Sequence, residues 1–369
     1  MQVNTSRDSG RLNCNRCFLL GGTEMEEQNK KENQILGKQS IVFVRPAYIR
    51  SYASIVGKKE GDGPLGAHFD QIEEDDKFGQ KSWEEAESVL QKRTAELAIQ
   101  KAHMKAEDIR LIFAGDLLAQ SIASSFGIGG LHRPMYGLFG ACSTMGESLA
   151  LAAMSVCGGF APTALAVTSS HFATAEKEFR FPLGYGNQRP LSASWTVTGS
   201  GACVVDTQKS RVKITGVTTG IVTDYGMKDS QNMGACMAPA ASGTIRQNLE
   251  DFGRKPEDYD RIITGDLGYV GQQILLDLLE TEGYRIHKQH DDCGIMIFDR
   301  EMQDTHAGGS GCGCSAVVLT SYIIPKIACG DWKRVLFVPT GALMSKVSYY
   351  EGNSVPGIAQ AVVLEREEG

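Results

Sequence analysis

No run of about 18 consecutive apolar residues occurs in this 369-residue chain, so no segment reads as a membrane span. The N-terminal apolar run, Cys17-Phe18-Leu19-Leu20, is too short for the core of a signal peptide. Synthesis and folding in the cytosol are therefore expected, with any membrane association left to partners. Blocks of one charge are also missing. The 37 basic and 44 acidic residues are interspersed and sum to −7, which excludes a basic stripe for nucleic acid. Cys14 and Cys17 form a C-x-x-C without a second pair, so a zinc site lacks half its ligands.

Cysteine itself is not scarce. Ten are present, but a chain this long does not need disulfide staples. Eight, from Cys142 to Cys329, lie in apolar or glycine-rich contexts, which predicts free, mostly buried thiols in a reducing compartment. With 42% hydrophobic residues the chain can bury a large core. Residues 1–38 differ: they are polar and aperiodic and read as a disordered extension, with Met25 as an alternative start.

From Ser40 onward the chain repeats itself. KAEDIRLIFAGDLLAQ (Lys105–Gln120) matches KPEDYDRIITGDLGYV (Lys255–Val270). Cys142-Ser143 is followed after fifteen residues by Cys157-Gly158-Gly159, and Cys314-Ser315 by Cys329-Gly330-Asp331 at the same interval. Each glycine leads into a strand, TALAVTSS from Thr163 and KRVLFVPTG from Lys333. The halves also open alike, at Ser40 and Arg211. Four matches in one order mean duplication. The predicted halves are 39–209 and 210–369, each β–α–β–α–β with a further strand. The helix starting at Ser82 carries a capping-box pattern with Glu85. Short apolar strands between helices predict a buried, mostly parallel sheet and a layered α/β/α/β/α body. An insert at about 172–200 has no counterpart of similar length in the second half and is expected over the working face.

Cys142 lies among small residues at a strand-to-helix turn, where unpaired N–H groups favour a thiolate or a bound anion. It reads either as a nucleophile or anion site, or as a small residue in a tight turn. His171 ends a strand and is a ligand contact, a base or a backbone-bonded cap. Arg180 and Arg189 in the insert suit carboxylate recognition, or are solvated. Asp116 and Asp266 occupy matching Gly-Asp-Leu turns, where an Asx-type turn competes with a ligand or calcium contact. The run Ala307–Cys314 is either an anion nest or a place for close packing, and His306 precedes it.

These residues resemble the thiolase superfamily, which includes the type III ketoacyl synthases. The chain is more closely similar to the stage V sporulation AD family of spore-forming bacteria. The matching strings are GPLG (Gly63–Gly66), AGDLL (Ala114–Leu118), LFGACST (Leu138–Thr144), TSSH (Thr168–His171), TVTGSGA (Thr196–Ala202), CMAPAA (Cys236–Ala241) and AGGSGC (Ala307–Cys312). They spread over essentially Ile41 to Arg366.

The resemblance implies a thiolase-like, internally duplicated five-layer fold without cofactor or metal. It also implies binding of dipicolinic acid (pyridine-2,6-dicarboxylate), free or as its calcium chelate, in the SpoVA channel assembly that loads the spore. Attachment to the inner spore membrane through SpoVA membrane proteins, and a homodimer, are implied in the same way. The ligand-binding candidates are Cys142, His171, Asp116, Arg180 and Ser143. The alternative is an acyl transferase with Cys142 as nucleophile. The resemblance argues against that alternative. Where a type III ketoacyl synthase carries its histidine, the chain reads Gly265-Asp266-Leu267, and the glycine cluster holds no asparagine. No second thiolase cysteine stands near Thr340-Gly341-Ala342, and Ala307 follows His306 where the thiolase loop has proline.

Overall fold

The computed structural model describes residues 34–179 and 188–368. Most of the expected extension 1–38, including Cys14, Cys17 and Met25, lies outside them. So does Arg180. Of the unit Met1–Ile35 only the last two residues are described; the account below concerns the body Leu36–Gly369.

The first half runs β1 (Ser40–Gly57), α1 (Trp83–Lys101), β2 (Leu111–Gly115), α2 (Ile122–Gly129), β3 (Met135–Leu138), α3 (Thr144–Cys157), β4 (Thr163–Ser170), α4 (Phe172–Phe179) and β5 (Gly199–Asp206). The second half runs β6 (Val212–Thr218), α5 (Met233–Phe252), β7 (Arg261–Thr264), α6 (Gly268–Thr281), β8 (His290–Asp292), α7 (Cys312–Val318), α8 (Ile324–Cys329), β9 (Arg334–Val338) and β10 (Ala361–Arg366). The strand ladder reads β8-β7-β9-β10-β6-β1-β5-β4-β2-β3. That order is a palindrome of the two halves, joined where the long strand β1 pairs with both β6 and β5.

Three hydrophobic clusters mark the layers. One lies between the first-half strands and outer helix α1. A second lies beneath α5 and α6. The largest lies between the halves, around Met145 and Leu149 of α3 and Val317 and Leu319 of the Cys312–Cys329 segment. Helix, sheet, helix, sheet, helix is the resulting section. The Ser82 capping box is present, with Glu85 N–H on Ser82 Oγ and Ser82 N–H on Glu85 Oε2, both at 3.2 Å.

The sheet is mixed, which corrects the mostly parallel expectation. β2, β3 and β4 are parallel, as are β7, β8 and β9. β1, β5, β6 and β10 join antiparallel. Strands buried on both faces are apolar whichever way they run, so their composition carries no direction. Each half also holds a helix and an edge strand that the sequence pattern did not show: α2 with β3, and α6 with β8.

The segment Cys312–Cys329 is long and apolar enough to cross a membrane by length and composition, with mean hydropathy 1.5 over 18 residues. It escaped the search for an unbroken run because Thr320, Ser321 and Lys326 interrupt it. Its 72% burial within the body accounts for the composition of a central core helix. A wider turn at Leu319–Ile323 precedes Pro325, which has no N–H to continue the ladder. The layers approach closely at glycines. A Cβ on Gly201 would stand 2.4 Å from the Ala316 carbonyl oxygen, so the first-half sheet can meet α7 only without a side chain there.

Candidate functional site

A cavity of about 450 Å3 opens beyond the carboxyl ends of the strands, where α/β folds place ligands. Leu117 after β2, Phe139 and Cys142 after β3, and Ala342 and Met344 after β9 line it, with Met233 at the start of α5. The insert adds Glu178 and Thr196.

Cys142 sits in a tight turn, Ala141–Ser143, directly before α3. Ala141 has φ of +49°, a left-handed conformation that costs an alanine about 1 kcal/mol. Local bonds hold that strain. Thr144 Oγ1 donates to the Ala141 carbonyl at 2.6 Å and accepts the Gly140 N–H at 3.0 Å. Ser143 Oγ donates to the Gly140 carbonyl at 2.7 Å. From the other half, Gly341 comes so near that a Cβ would lie 2.3 Å from the Gly140 carbonyl oxygen. Ser143 is consequently buried in the turn, while Ala141 and Cys142 reach the cavity.

The surroundings of the thiol discourage a thiolate. Burial pushes its pKa well above the usual cysteine value, and the Asp266 carboxyl facing it pushes the same way. Asp266 follows β7. Its Oδ2 accepts the Gly311 N–H at 2.9 Å and its Oδ1 accepts the Thr340 hydroxyl at 2.9 Å. The Cys142 S–H completes its partners. Burial raises Asp266 to about 7. Burial and the facing carboxyl together hold the Cys142 thiol in its neutral form, and burial disfavours the charge on Asp266 as well.

The other sequence candidates are not gathered here. His171 is buried at the head of α4. Its Nδ1 accepts the Ala173 N–H at 3.1 Å, and its Nε2 lies 2.7 Å from the Asp76 carbonyl, to which it donates. Trp83 and Phe78 pack on the ring. It is the capping histidine, because a strand end alone does not say which way a side chain turns. Asp116 is turned into its own half as an Asx-type turn: Oδ1 accepts the Leu118 N–H, and Oδ2 accepts both the N–H and the hydroxyl of Ser124. Its neighbour Leu117 is the residue that faces the cavity.

Arg189 donates to Asp304 and stacks on Trp195, away from Cys142. His306 lies between the Pro190 carbonyl and Asp304. The glycine cluster is a packing device rather than an anion nest. The Gly311 N–H goes to Asp266, the Gly313 N–H goes to Ser170 Oγ, and a Cβ on Gly313 would lie 2.4 Å from the Gly199 carbonyl oxygen. Six of the eight cysteines in the described residues are buried, and all eight are unpaired. No group of three metal-binding side chains occurs among the described residues.

Sequence reasoning missed three features. The first is Asp266 as the partner of Cys142. It shares the Gly-Asp-Leu turn with Asp116, but in the second half Asp292 does the turn's work. Asp292 accepts the N–H groups of Leu267, Gly268 and Ile295 and the Thr264 hydroxyl, which frees Asp266 to point at the interface. The second is the ion pair Lys346–Glu178, 3.2 Å, among the cavity-lining residues. It joins the insert to the short helix Lys346–Tyr350, a pairing no local pattern announces. The third is a buried acid, Glu87 on α1, held by the hydroxyls of Ser169 and Thr174 and raised to about 8 by burial and by Asp116.

The fold is shared with 3-oxoacyl-[acyl-carrier-protein] synthase III from Aquifex aeolicus, at TM-score 0.54 and 14% identity over 86% of this chain and 99% of that one. It is shared equally with Xanthomonas campestris OleA bound to cerulenin, at TM-score 0.55 and 15% identity over 87% and 97%. At such identities the likeness speaks for the thiolase-like fold alone. Sequence reaches further. Stage V sporulation protein AD of Bacillus subtilis (strain 168) is 45% identical over 336 residues, 91% of this chain and 99% of that protein. The profile of stage V sporulation protein AD (SpoVAD) matches residues 37–365, which include every cavity-lining side chain described above. On both counts the chain, a thiolase-like fold with an acid set against its cysteine, belongs to the stage V sporulation protein AD family.

Proposed function

We propose that this sporulation protein is a non-catalytic binder of pyridine-2,6-dicarboxylate, free or as its calcium chelate, acting with the SpoVA membrane proteins at the inner spore membrane to load the ligand. A homodimer is part of the same reading. The observation that carries it is the acid facing Cys142. Acyl transfer needs a thiolate and a base to make it. Cys142 instead has a buried carboxyl that opposes its ionisation. A scaffold of this kind keeps a cavity and gives up the reaction.

The cavity suits a flat ring with anionic ends. Its volume falls in the range of small-molecule sites. Phe139, Met233 and Met344 offer apolar walls, Ser310 and Thr196 offer polar edges, and Lys346 offers a cation. Glu178 holds that cation now, so an incoming carboxylate exchanges with it. Equilibrium dialysis of purified protein with dipicolinate is expected to show saturable binding. Lys346→Ala is expected to weaken it about tenfold, the worth of one charge-assisted hydrogen bond. No saturation up to millimolar ligand would contradict the reading.

A further inference from the structure

We propose that the cavity takes up a proton together with an anionic ligand, and that Asp266, behind Cys142, is the group that holds it. The inference rests on reading the cavity as a dicarboxylate site and adds the regulation of that site.

The geometry is specific. Asp266 is almost wholly buried, and three donors converge on its carboxyl: the Gly311 N–H, the Thr340 hydroxyl and the Cys142 thiol. None of the three is a cation. The titratable groups facing it from each packed element are Asp292, at the end of β8, and the thiols of Cys142, Cys293, Cys312 and Cys314. Each is neutral or acidic, so nothing there offsets a negative charge on Asp266. Burial accordingly holds its carboxyl near 7. Cys142 is the single side chain of this set that lines the cavity, so a ligand carboxylate against Cys142 stands one side chain from Asp266. Like charges that close disfavour each other strongly in a buried setting.

Protonation removes the conflict without moving a heavy atom. Thr340 Oγ1 now donates to Oδ1, and it already accepts the backbone N–H of Asp266 at 3.2 Å. With a proton on Oδ1 the hydrogen bond reverses: Oδ1–H donates to Thr340 Oγ1, whose own hydroxyl hydrogen is freed. Oδ2 keeps the Gly311 N–H. The ligand brings negative charge and Asp266 gives up its own, with one proton drawn from solvent.

The sign follows. Below about pH 7 Asp266 is already protonated and binding takes up nothing. Above it, each bound ligand takes up one proton, and affinity falls up to tenfold per pH unit. Glu87 also titrates in this range, but it lies on α1 behind Ser169 and Thr174, so substitution at Asp266 separates the two.

Titration calorimetry with dipicolinate at pH 6.0 and 8.5, in two buffers of different ionisation enthalpy, tests the inference. The unsubstituted protein is expected to bind at least tenfold more weakly at pH 8.5 and to take up close to one proton there. Asp266→Asn has the shape of the protonated acid, with its Nδ2 able to donate to Thr340. It is expected to bind at least tenfold tighter than the unsubstituted protein at pH 8.5, with no proton uptake. Should Asn fail to fold, Glu87→Gln, which leaves Asp266 in place, decides: proton uptake at pH 8.5 that persists there supports Asp266, and uptake that vanishes overturns the inference. Binding of equal strength at both pH values with no proton uptake overturns the inference and leaves the dicarboxylate site standing. So does an unchanged pH slope in Asp266→Asn. Absence of binding even at pH 6.0 overturns the site itself and the inference with it.

Discussion

Ala342→Trp is expected to lower the affinity for dipicolinate more than about 100-fold, close to 3 kcal/mol of binding free energy. Ala342 is almost wholly buried, closes the short strand Thr340–Ala342 and lines the cavity beside Cys142. An indole there occupies the space a planar ligand would need. Its backbone pairs antiparallel with Gly357, whose own Cβ position is filled by the Cys236 carbonyl oxygen, so the indole has only the cavity side to occupy. The fold should survive, read as a single cooperative thermal transition near that of the parent. Loss of binding with a preserved transition places the ligand in this cavity. Full affinity in a folded Ala342→Trp protein would place it elsewhere.

The second large effect is an absence of chemistry. The thiolate, not the thiol, is the nucleophile, so each unit by which the pKa rises removes about a factor of ten in reactive species. Burial and Asp266 together push Cys142 well above the ordinary cysteine value. Iodoacetamide at pH 7.5 is therefore expected to modify Cys142 at least about 100-fold more slowly than an unhindered thiol. The exposed Cys329 serves as the reference in the same sample. Acyl thioesters of coenzyme A are expected to leave no adduct on Cys142 by mass spectrometry. An acyl-Cys142 species forming on the time scale of minutes would mean that the fold retains its transferase chemistry.

Much of this architecture was legible. The duplicated Gly-Asp-Leu turns and Cys-Ser pairs led to two halves, because a repeat preserves spacing wherever the scaffold is fixed. Ser82 and Glu85 marked their helix because a capping box is local. β3 and its preceding helix α2 were not legible. Their sequence, IASSFGIGG and MYGL, is short and glycine-rich, and only the neighbouring strand β2 makes MYGL a strand.

The site was legible in one residue. Cys142 follows from its turn and from the repeat. Everything that gives it its character comes from the other half: Asp266, Gly311, Thr340 and the close approach of Gly341. Contacts across more than a hundred residues leave no periodicity to read. Asp116 and Asp266 show the limit most clearly. Duplication made them equals in sequence, yet Ser124 turns one inward, while Asp292 releases the other toward Cys142. His171 lies outside the cavity lining for a related reason: its ring is fixed by Asp76 and Trp83, far away in sequence.

The central claim is that the space over Cys142 is a ligand pocket and not a reaction centre. A crystal soaked with dipicolinate at pH 6 tests it most directly. The account predicts an intact planar ligand among Phe139, Met233 and Met344, one carboxylate near Lys346, and an unmodified Cys142 sulfur beneath it. A cavity that stays empty at saturating ligand, or a covalent bond to the Cys142 sulfur, would contradict it.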